Sequence, residues 1–337
     1  MKPNRAASGV EFVGIDDGYA DTKLFGSKGG FVIPSRGHAM ALLDGVLPSV
    51  AKESSCGVYA VHDGFIQIDP TIDGDDTCYD GYHTSSLNAA IIHQALIMGN
   101  YGGRSVDLAV GLPFGSYFTP EGVVNEALIA QKIANLRRPI SRVDGKELAK
   151  IERVNVYAQT VSAYLNQVID ASGGVQMMTG PIGVVDVGGR TTDLIVVLPP
   201  KSFDFQRSVS LNIGLMNVHQ MLADYLRSEL SIDFAPSQVI HLAVKNGRYA
   251  HGEKLFDVSS KVAEFKDIVS SSIVAKIKQF WGDGSGLEKV LFVGGGCDAL
   301  PSIYEAWGGG EIVASPTYAN AKGMRKYMRF VDFDRSD

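Results

Sequence analysis

The chain has 337 residues, of which 45% are hydrophobic, and its formal net charge is −6. This composition supports sizeable cores, and the acidic balance gives no general attraction to nucleic acid or to anionic membranes. Three cysteines (Cys56, Cys78 and Cys297) form no CxxC pair, which favours a reduced, cytoplasmic protein without a structural metal. The sequence has no apolar run of membrane-spanning length and no signal-peptide pattern, so we expect no membrane partner.

The first strong pattern is VGIDDGYADTKL at residues 13–24. A short apolar run that ends in Asp-Gly predicts a β-hairpin. The residues that define the pattern D-x-G-x-x-x-T-x-L are Asp16, Gly18, Thr22 and Leu24. Backbone N–H groups at such a tip can converge on an anion, because glycine has no side chain to block the approach.

A polar, irregular region follows, and we interpret residues 27–85 as a small subdomain inserted into the first half. It contains strand-like pieces at 57–61 and 64–68 and the acidic segment DGDDTCYDG. The acidic side chains of this segment, Asp73, Asp75, Asp76 and Asp80, could indicate a calcium loop. The Gly and Glu that an EF-hand requires at fixed offsets are missing, so a solvated loop is the favoured interpretation.

The middle of the chain alternates between helical and strand patterns. Helices are predicted at 86–98, 121–138 and 159–169, and strands at 106–112 and 154–156. His93 is interpreted as a packed or surface histidine, and the cluster Arg137, Arg138 and Arg142 as a solvated helix end or a contact for a partner's acids. Gln159 lies where a strand meets a helix, so its amide could reach a cleft.

A second copy of the hairpin occupies residues 182–197, IGVVDVGGRTTDLIVV. Strand-like runs at 182–187 and 194–197 flank the tip, where we expect Gly188 and Gly189 to adopt positive φ. Asp186, Gly188, Thr192 and Leu194 match the first copy at a constant offset of 170 positions. This similarity suggests a duplicated domain, with a nucleotide clamped in a cleft between two like halves. The alternative is two ordinary Asp-Gly hairpins.

The second half continues with predicted helices at 216–230 and 262–280, separated by a polar insertion candidate at 231–258. A compact strand, KVLFV at 289–293, leads directly into Gly294, Gly295 and Gly296 and then Cys297 and Asp298. A strand followed by glycines and a helix start is a place where backbone can approach a flat or anionic ligand closely.

In this order the motifs resemble the superfamily of actin, sugar kinases and heat-shock-chaperone ATPases. The corresponding segments are the phosphate loops GIDDGYADTKL and VVDVGGRTTDL, the connecting helix VYAQTVSAYLNQV, the adenosine motif LFVGGGCDALP and the closing helix TYANAKGMRKYM. Within the superfamily the chain resembles the plasmid-segregation actins (ParM, also called StbA), through IDDG with Lys23, LAVGLPFGSYF and NEALIAQKIANLRRPI. Gln159 departs from that branch, which often has Glu there. The Rossmann and Walker patterns are missing.

The resemblance implies an α/β protein with the actin-like ATPase fold, in which two similar ribonuclease-H-like domains surround a nucleotide cleft. We expect domain I to comprise residues 10–180 and 313–335, with an inserted subdomain at about 27–85. Domain II would comprise 181–312, with an inserted subdomain at about 217–275.

The resemblance also implies the site. Asp16 and Asp186 would hold Mg²⁺ through water, and Asp186 and Gln159 would orient the attacking water. Gly214 would approach the ribose, and the three glycines would lie against adenine. Asp17, Asp193 and Asp298 have turn or capping roles as an equal alternative. The nucleotide contacts expected in full are Asp17, Gly18, Lys23, Gly188, Gly189, Arg190, Thr191, Thr192, Gly214, Gly294, Gly295, Gly296 and Asp298.

The function that the resemblance implies is a cytoplasmic, polymerising ATPase that uses ATP (or GTP) and Mg²⁺. Its dynamic filaments would segregate plasmid DNA through a DNA-binding adaptor protein bound to a centromere-like site, without direct contact to nucleic acid. Two alternatives stay open: a small-molecule kinase of the same fold, and a non-polymerising actin-like scaffold.

Overall fold

The computed structural model describes residues 9–40, 56–70, 74–75, 77–199 and 202–332. These residues form two compact units. The first contains the described residues up to 178 and those from 317 onwards, and the second contains the described residues of 179–316. Each unit has its own cluster of buried apolar side chains.

The elements of the first unit, in chain order, are β1 (Glu11–Asp17), β2 (Asp21–Gly26), β3 (Gly29–Pro34), β4 (Gly37–Met40), β5 (Gly57–Val61), β6 (Gly64–Ile68), α1 (Ser86–Met98), β7 (Ser105–Leu112), α2 (Phe114–Tyr117), α3 (Glu126–Leu136), β8 (Ser141–Arg142), β9 (Lys150–Ala158) and α4 (Gln159–Val168). The second unit contains β10 (Ile182–Val187), β11 (Thr192–Leu198), β12 (Ser202–Phe203), β13 (Val209–Leu211), α5 (Leu215–Leu230), α6 (Ser237–Asn246), β14 (Arg248–His251), β15 (Lys254–Asp257), α7 (Ser259–Trp281), β16 (Lys289–Val293), α8 (Gly296–Ala299), α9 (Ser302–Trp307) and β17 (Glu311–Ile312). The chain then returns to the first unit as α10 (Ala319–Phe330).

The main sheets of the two units have the same plan. In the first, the strand order is β3-β2-β1-β7-β9, with antiparallel pairing from β3 to β1 and parallel pairing from β1 to β9. In the second, the order is β12-β11-β10-β16-β17, again with the hairpin antiparallel and the last strands parallel. The central strands β1 and β10 are almost wholly buried, as expected for strands that are covered on both faces.

The two hairpins also share one register. Asp16 lies opposite Lys23 in the first hairpin, and Asp186 lies opposite Asp193 in the second. The residues of the second pair lie 170 positions after those of the first, so strand pairing confirms the repeat predicted from the sequence.

Small residues allow close packing of α10 in the first unit. A Cβ atom on Gly14 of β1 would collide with the Ala321 carbonyl, and a Cβ on Gly323 would collide with the Ser162 carbonyl of α4. The Lys326 ammonium donates to the carbonyls of Asn166 and Ile169 at the C-terminal end of α4, where a cation also complements the helix dipole.

Most of the predicted helices and strands are confirmed, but one helix begins later in the chain than expected. The helix expected from residue 121 begins at Glu126, because Asn125 caps it by accepting a hydrogen bond from the Leu128 amide at 3.2 Å.

The interpretation of Arg142 as part of a solvated helix end is wrong. Its side chain lies in β8 with no exposed surface and binds the Asp144 carboxylate at 2.7 Å.

A second sheet in the first unit has the order β4-β6-β5-β8. Its strand β8 follows α3 and lies outside residues 27–85, where the inserted subdomain was expected. Asp75 stabilises this sheet: its carboxylate contacts His38 Nδ1 at 2.8 Å and accepts from the Ala39 amide at 2.7 Å. Asp73 and Asp76 lie outside the described residues.

Over the ranges that the structure describes, we find no helix with the length and hydropathy needed to cross a bilayer.

Candidate functional site

Asp16, Gly18 and Lys23 come together at the tip of the first hairpin. Asp16 is the second-last residue of β1 with 5% of its surface exposed, and the Lys23 ammonium lies 3.6 Å from its carboxylate. Burial raises the pKa of Asp16, an effect that Lys23 and a hydrogen bond from Asn320 partly oppose. A Cβ on Gly18 would lie 3.0 Å from Lys23 Nζ, so glycine leaves room for the ammonium at the tip.

Asp17 points away from this group, because successive side chains of a strand face opposite sides of the sheet. It is fully buried and accepts hydrogen bonds from Lys132 Nζ at 2.5 Å, Asn88 Nδ2 at 2.8 Å and the Gly111 amide at 3.3 Å. Asp17 therefore has a structural role in place of the expected nucleotide contact: its hydrogen bonds connect β1 to α1, α3 and β7.

The buried Asp17 is ionised. Burial alone would raise its pKa, but Lys132 and His83 outweigh that effect and hold the pKa well below its usual range. Sequence reasoning missed Lys132, which is fully buried. A signal was available: Lys132 stands three residues after Ile129 and four before Leu136, at the spacing of an apolar helix face.

Gln159 begins α4 directly after β9, as predicted. Its side chain is 8% exposed, and its Nε2 has no hydrogen-bond partner among the described residues. Gly111 makes room for it, since a Cβ there would lie 2.5 Å from Gln159 Cγ. A buried amide without an acceptor is costly, and a turn of the side chain would bring this N–H group within reach of a ligand oxygen or a water.

Asp186 is the second-last residue of β10. It is 8% exposed and lies directly opposite Asp193 in the ladder. Residues opposite each other in a ladder share one face of the sheet, so the second hairpin places two carboxylates together where the first has Asp16 and Lys23. Opposed carboxylates favour a nearby cation, which agrees with the expected hydrated Mg²⁺.

The tip of the second hairpin corrects two expectations. Neither Gly188 nor Gly189 has positive φ; instead their carbonyls accept the first amides of α5, at 3.1 Å from Leu215 and 2.8 Å from Met216. The Thr192 hydroxyl, expected to face phosphate, is buried and donates to the Ile213 carbonyl at 2.8 Å.

Gly214 is required by the same packing. A Cβ there would lie 2.5 Å from the Gly189 carbonyl oxygen and 2.7 Å from that of Gly188. The partly exposed residues that remain at the tip are Gly188, Gly189, Arg190 and Thr191. These four residues can present backbone and side-chain donors to an anion.

The three glycines after β16 have different surroundings. Gly294 has φ +90°, and a Cβ on it would collide with the Asp186 carboxylate. A Cβ on Gly296 would collide with the Val187 side chain. Both glycines therefore pack against the end of β10, whereas Gly295 is partly exposed and begins α8 as its N-cap. Asp298 is exposed in the first turn of α8.

Two segments of the chain match family models of actin-like proteins. Residues 68–169 match the family model "Plasmid segregation protein ParM, N-terminal", and residues 184–305 match "Archaeal actin homologue MreB-like, C-terminal". Each of these segments therefore resembles a family of actin-like proteins. An archaeal actin homologue from Thermoplasma acidophilum is 26% identical over 338 residues, which cover 93% of this actin-like chain and 97% of the relative.

Solved structures confirm the actin-like ATPase fold. A 15-stranded ParM filament from Clostridium botulinum matches with a TM-score of 0.75 and 16% identity, covering 95% of this chain and 99% of that one. A crystal structure of an archaeal actin homologue in complex with ADP matches with a TM-score of 0.71 and 22% identity, covering 96% and 99%. The resemblance to plasmid-segregation actins is thus confirmed, with an archaeal MreB-like match in the second half.

Proposed function

We propose that this actin-like chain is an ATPase that binds ATP with Mg²⁺ and polymerises into dynamic filaments. The observation that carries the proposal is the repeated hairpin, since both copies have an aspartate at the second-last position of the central strand and at one register, Asp16 and Asp186. Each hairpin would supply part of a phosphate-binding site. We further propose that the two compact units correspond to the two domains expected from the sequence.

The roles of individual residues follow the chemistry of phosphoryl transfer, which requires charge neutralisation and a positioned nucleophile. Gly18, Lys23 and residues 188–191 would bind the phosphates, and Gly295 would lie against the base. Asp16 and Asp186 would hold Mg²⁺ through its water ligands, and the ion would neutralise phosphate charge. Asp186 and the unpartnered Gln159 amide would orient the attacking water.

Filament formation is supported by the relative that is itself described as a filament. Subunits that pack head to tail without closing a ring form an open polymer. Hydrolysis can limit the life of such a polymer if the ATP-bound and ADP-bound forms differ in their affinity for the next subunit. We propose that this chain uses that difference to assemble with ATP and to disassemble after hydrolysis.

Plasmid DNA is the proposed cargo, because the N-terminal match is to a plasmid segregation protein. The chain carries a net charge of −6, which disfavours direct binding to DNA phosphates. An adaptor protein bound to a centromere-like site would therefore connect filament and DNA. Purified protein should leave the electrophoretic mobility of plasmid DNA unchanged when no adaptor is added.

Sedimentation tests the proposal. The protein is incubated at micromolar concentration with ATP, GTP, ADP or no nucleotide, each with Mg²⁺ or with a chelator, and phosphate release is measured in parallel. We expect pelleting with a nucleoside triphosphate and Mg²⁺, followed by loss of the pellet as phosphate is released. Protein that stays in the supernatant in every condition, over a range of salt, would contradict polymerisation. Transfer of phosphate to an added sugar would favour the kinase alternative.

A further inference from the structure

The carbonyl groups at the tip of the first hairpin are bound by two residues that lie outside the hairpin. The Ser35 hydroxyl donates to the Gly18 carbonyl at 2.7 Å, and the Ser35 amide donates to the Ala20 carbonyl at 2.9 Å. The Thr77 hydroxyl donates to the Tyr19 carbonyl at 2.5 Å. Three consecutive peptide groups of the tip are therefore held through their oxygen atoms.

The hydroxyl groups that hold the tip belong to buried side chains. Ser35 is 2% exposed and Thr77 is 5% exposed. A serine hydroxyl has a single proton. Because Ser35 donates that proton to Gly18, its oxygen accepts from the hydroxyl of Thr22, which lies 2.9 Å away and is fully buried in β2. The direction of both hydrogen bonds is thus fixed.

These bonds determine the face of the hairpin to which the tip amides point. Thr22 and Lys23 are neighbours in β2, so their side chains lie on opposite faces. Ser35 contacts Thr22, and the Gly18 carbonyl that it binds therefore points away from Lys23. In a planar trans peptide the carbonyl and the following N–H point in opposite directions. The N–H group of Tyr19 consequently points towards the face that carries Lys23.

The second hairpin holds the equivalent carbonyls with other donors. The carbonyls of Gly188 and Gly189 accept from the first amides of α5. These two glycines lie 170 positions after Gly18 and Tyr19. The two copies thus fix the same pair of carbonyls, one copy with backbone amides and the other with side-chain hydroxyls. Agreement reached with different donors indicates that the orientation of the tip peptides serves a purpose common to both hairpins.

We propose that Ser35 and Thr77 are positioning residues, which orient the tip so that the amides of Tyr19 and Ala20 bind a phosphate group of the nucleotide. Successive N–H groups in a turn form a concavity that binds anions, and the Lys23 ammonium strengthens such a site. The two hydroxyl groups act through the backbone, since each is buried against the carbonyl that it binds. This inference rests on the proposed function, which supplies the nucleotide.

The test compares the affinities for adenosine and for a non-hydrolysable ATP analogue with Mg²⁺, at protein concentrations below those at which the chain sediments. Ser35→Ala and Thr77→Val each remove one hydroxyl, and circular dichroism checks that each variant is folded. We expect either variant to bind the analogue about tenfold more weakly, as suits the loss of one hydrogen bond. Both should bind adenosine as the unchanged chain does. Thr77→Ser, which keeps the hydroxyl, should restore the affinity for the analogue.

Ser208→Ala is the matched control, because the Ser208 hydroxyl also donates to a backbone carbonyl, that of Asp204, at 2.7 Å but lies in the second unit. It should bind both ligands as the unchanged chain does. Equal losses of affinity for adenosine and the analogue would show a general structural role and overturn the proposal. So would an unchanged affinity for the analogue in both Ser35→Ala and Thr77→Val. If the unchanged chain bound neither ligand, the proposed function would fail and this inference with it.

Discussion

The two hairpins share register and position in their sheets, but different interactions hold them in place. In the first, charged and polar side chains do this: Asp17 accepts from Lys132, Asn88 and the Gly111 amide. In the second, the equivalent of Asp17 is Val187, a fully buried member of the apolar core. There the tip is held by backbone, through the carbonyls that accept the first amides of α5 and through the close approach of Gly294.

This difference shows which features of a duplicated motif are constrained. Strand register and the aspartate at the second-last position of the central strand are common to both copies, as the function proposed for Asp16 and Asp186 requires. The supporting interactions have diverged, because any contacts that fix the tip serve equally well. Each hairpin should therefore be sensitive to a different class of substitution: the first to loss of a buried charge, the second to loss of a closely packed glycine.

The largest effect is expected at the aspartate of the second hairpin. Asp186→Ala should still bind ATP but release phosphate at least about tenfold more slowly, since loss of an orienting group typically costs on the order of 10²–10⁴ in rate. Filaments of this variant should persist after those of the unchanged protein have disassembled. Single-turnover phosphate release is the measurement, with the exposed Asp233→Ala of the same unit as control. Unchanged release by Asp186→Ala would contradict the role assigned to this carboxylate.

Lys132→Met should strongly destabilise the first unit. It leaves the ionised Asp17 buried without its ammonium partner, and breaking a buried ion pair in this way costs about 3–5 kcal/mol. Hydrogen exchange of amides in the first unit measures the loss. Lys150→Met is the matched control, because Lys150 is 75% exposed in its ion pair with Glu152. Equal exchange rates in the two variants would show that the buried pair does not hold the hairpin.

Acid should destabilise the first unit before the second. The pKa of His93 is lowered by burial to about 4, so the unfolded chain binds this proton at higher pH than the folded chain does. The free energy of unfolding therefore falls as pH drops from about 6.5 to about 4, by roughly 3 kcal/mol from this residue. The depressed pKa of Asp17 means that its contribution is complete above about pH 4 and is lost only below that pH.

Both tryptophans, Trp281 and Trp307, lie in the second unit, so tryptophan fluorescence reports on that unit alone. On acidification, amide exchange in the first unit should accelerate before the fluorescence changes. His93→Leu should flatten the pH dependence of the first unit above about pH 4. Simultaneous changes in both signals, or an unaltered slope in His93→Leu, would contradict the prediction.

Gly294→Ala should destabilise the second unit by about 2–3 kcal/mol, because the new Cβ meets Asp186 and the Val187 carbonyl at a strained φ. Gly252→Ala is the control: it has φ +59° but no atom within 4 Å of the added carbon. Urea unfolding followed by tryptophan fluorescence compares the two variants. Equal midpoints would show that positive φ, and not the contact with β10, explains the glycine at 294.

The sequence was sufficient to predict the two hairpins, their ungapped match and the actin-like fold, because these depend on local patterns and on an internal repeat. The interactions that hold each hairpin in place could not be predicted in the same way. Lys132 and Asp17 are separated by 115 positions, and one sequence contains no information on which distant residues meet. Gly188 and Gly189 were expected to have positive φ from their residue type, yet close packing with the start of α5 explains them instead.

The smallest effect is expected when the first hairpin is given the apolar arrangement of the second. Asp17→Val combined with Lys132→Met replaces a buried ion pair by apolar side chains, a change that is often nearly neutral. Asn88 and the Gly111 amide lose an acceptor, which we expect to cost about 1–3 kcal/mol. The double variant should therefore be more stable than Lys132→Met alone, although it carries one more substitution. Hydrogen exchange on the two single variants and the double variant forms a mutant cycle, in which a coupling energy near zero would show that Asp17 and Lys132 act independently. A double variant that keeps ATP binding would further show that Asp17 acts on the hairpin through the interior of the unit and makes no contact with the nucleotide.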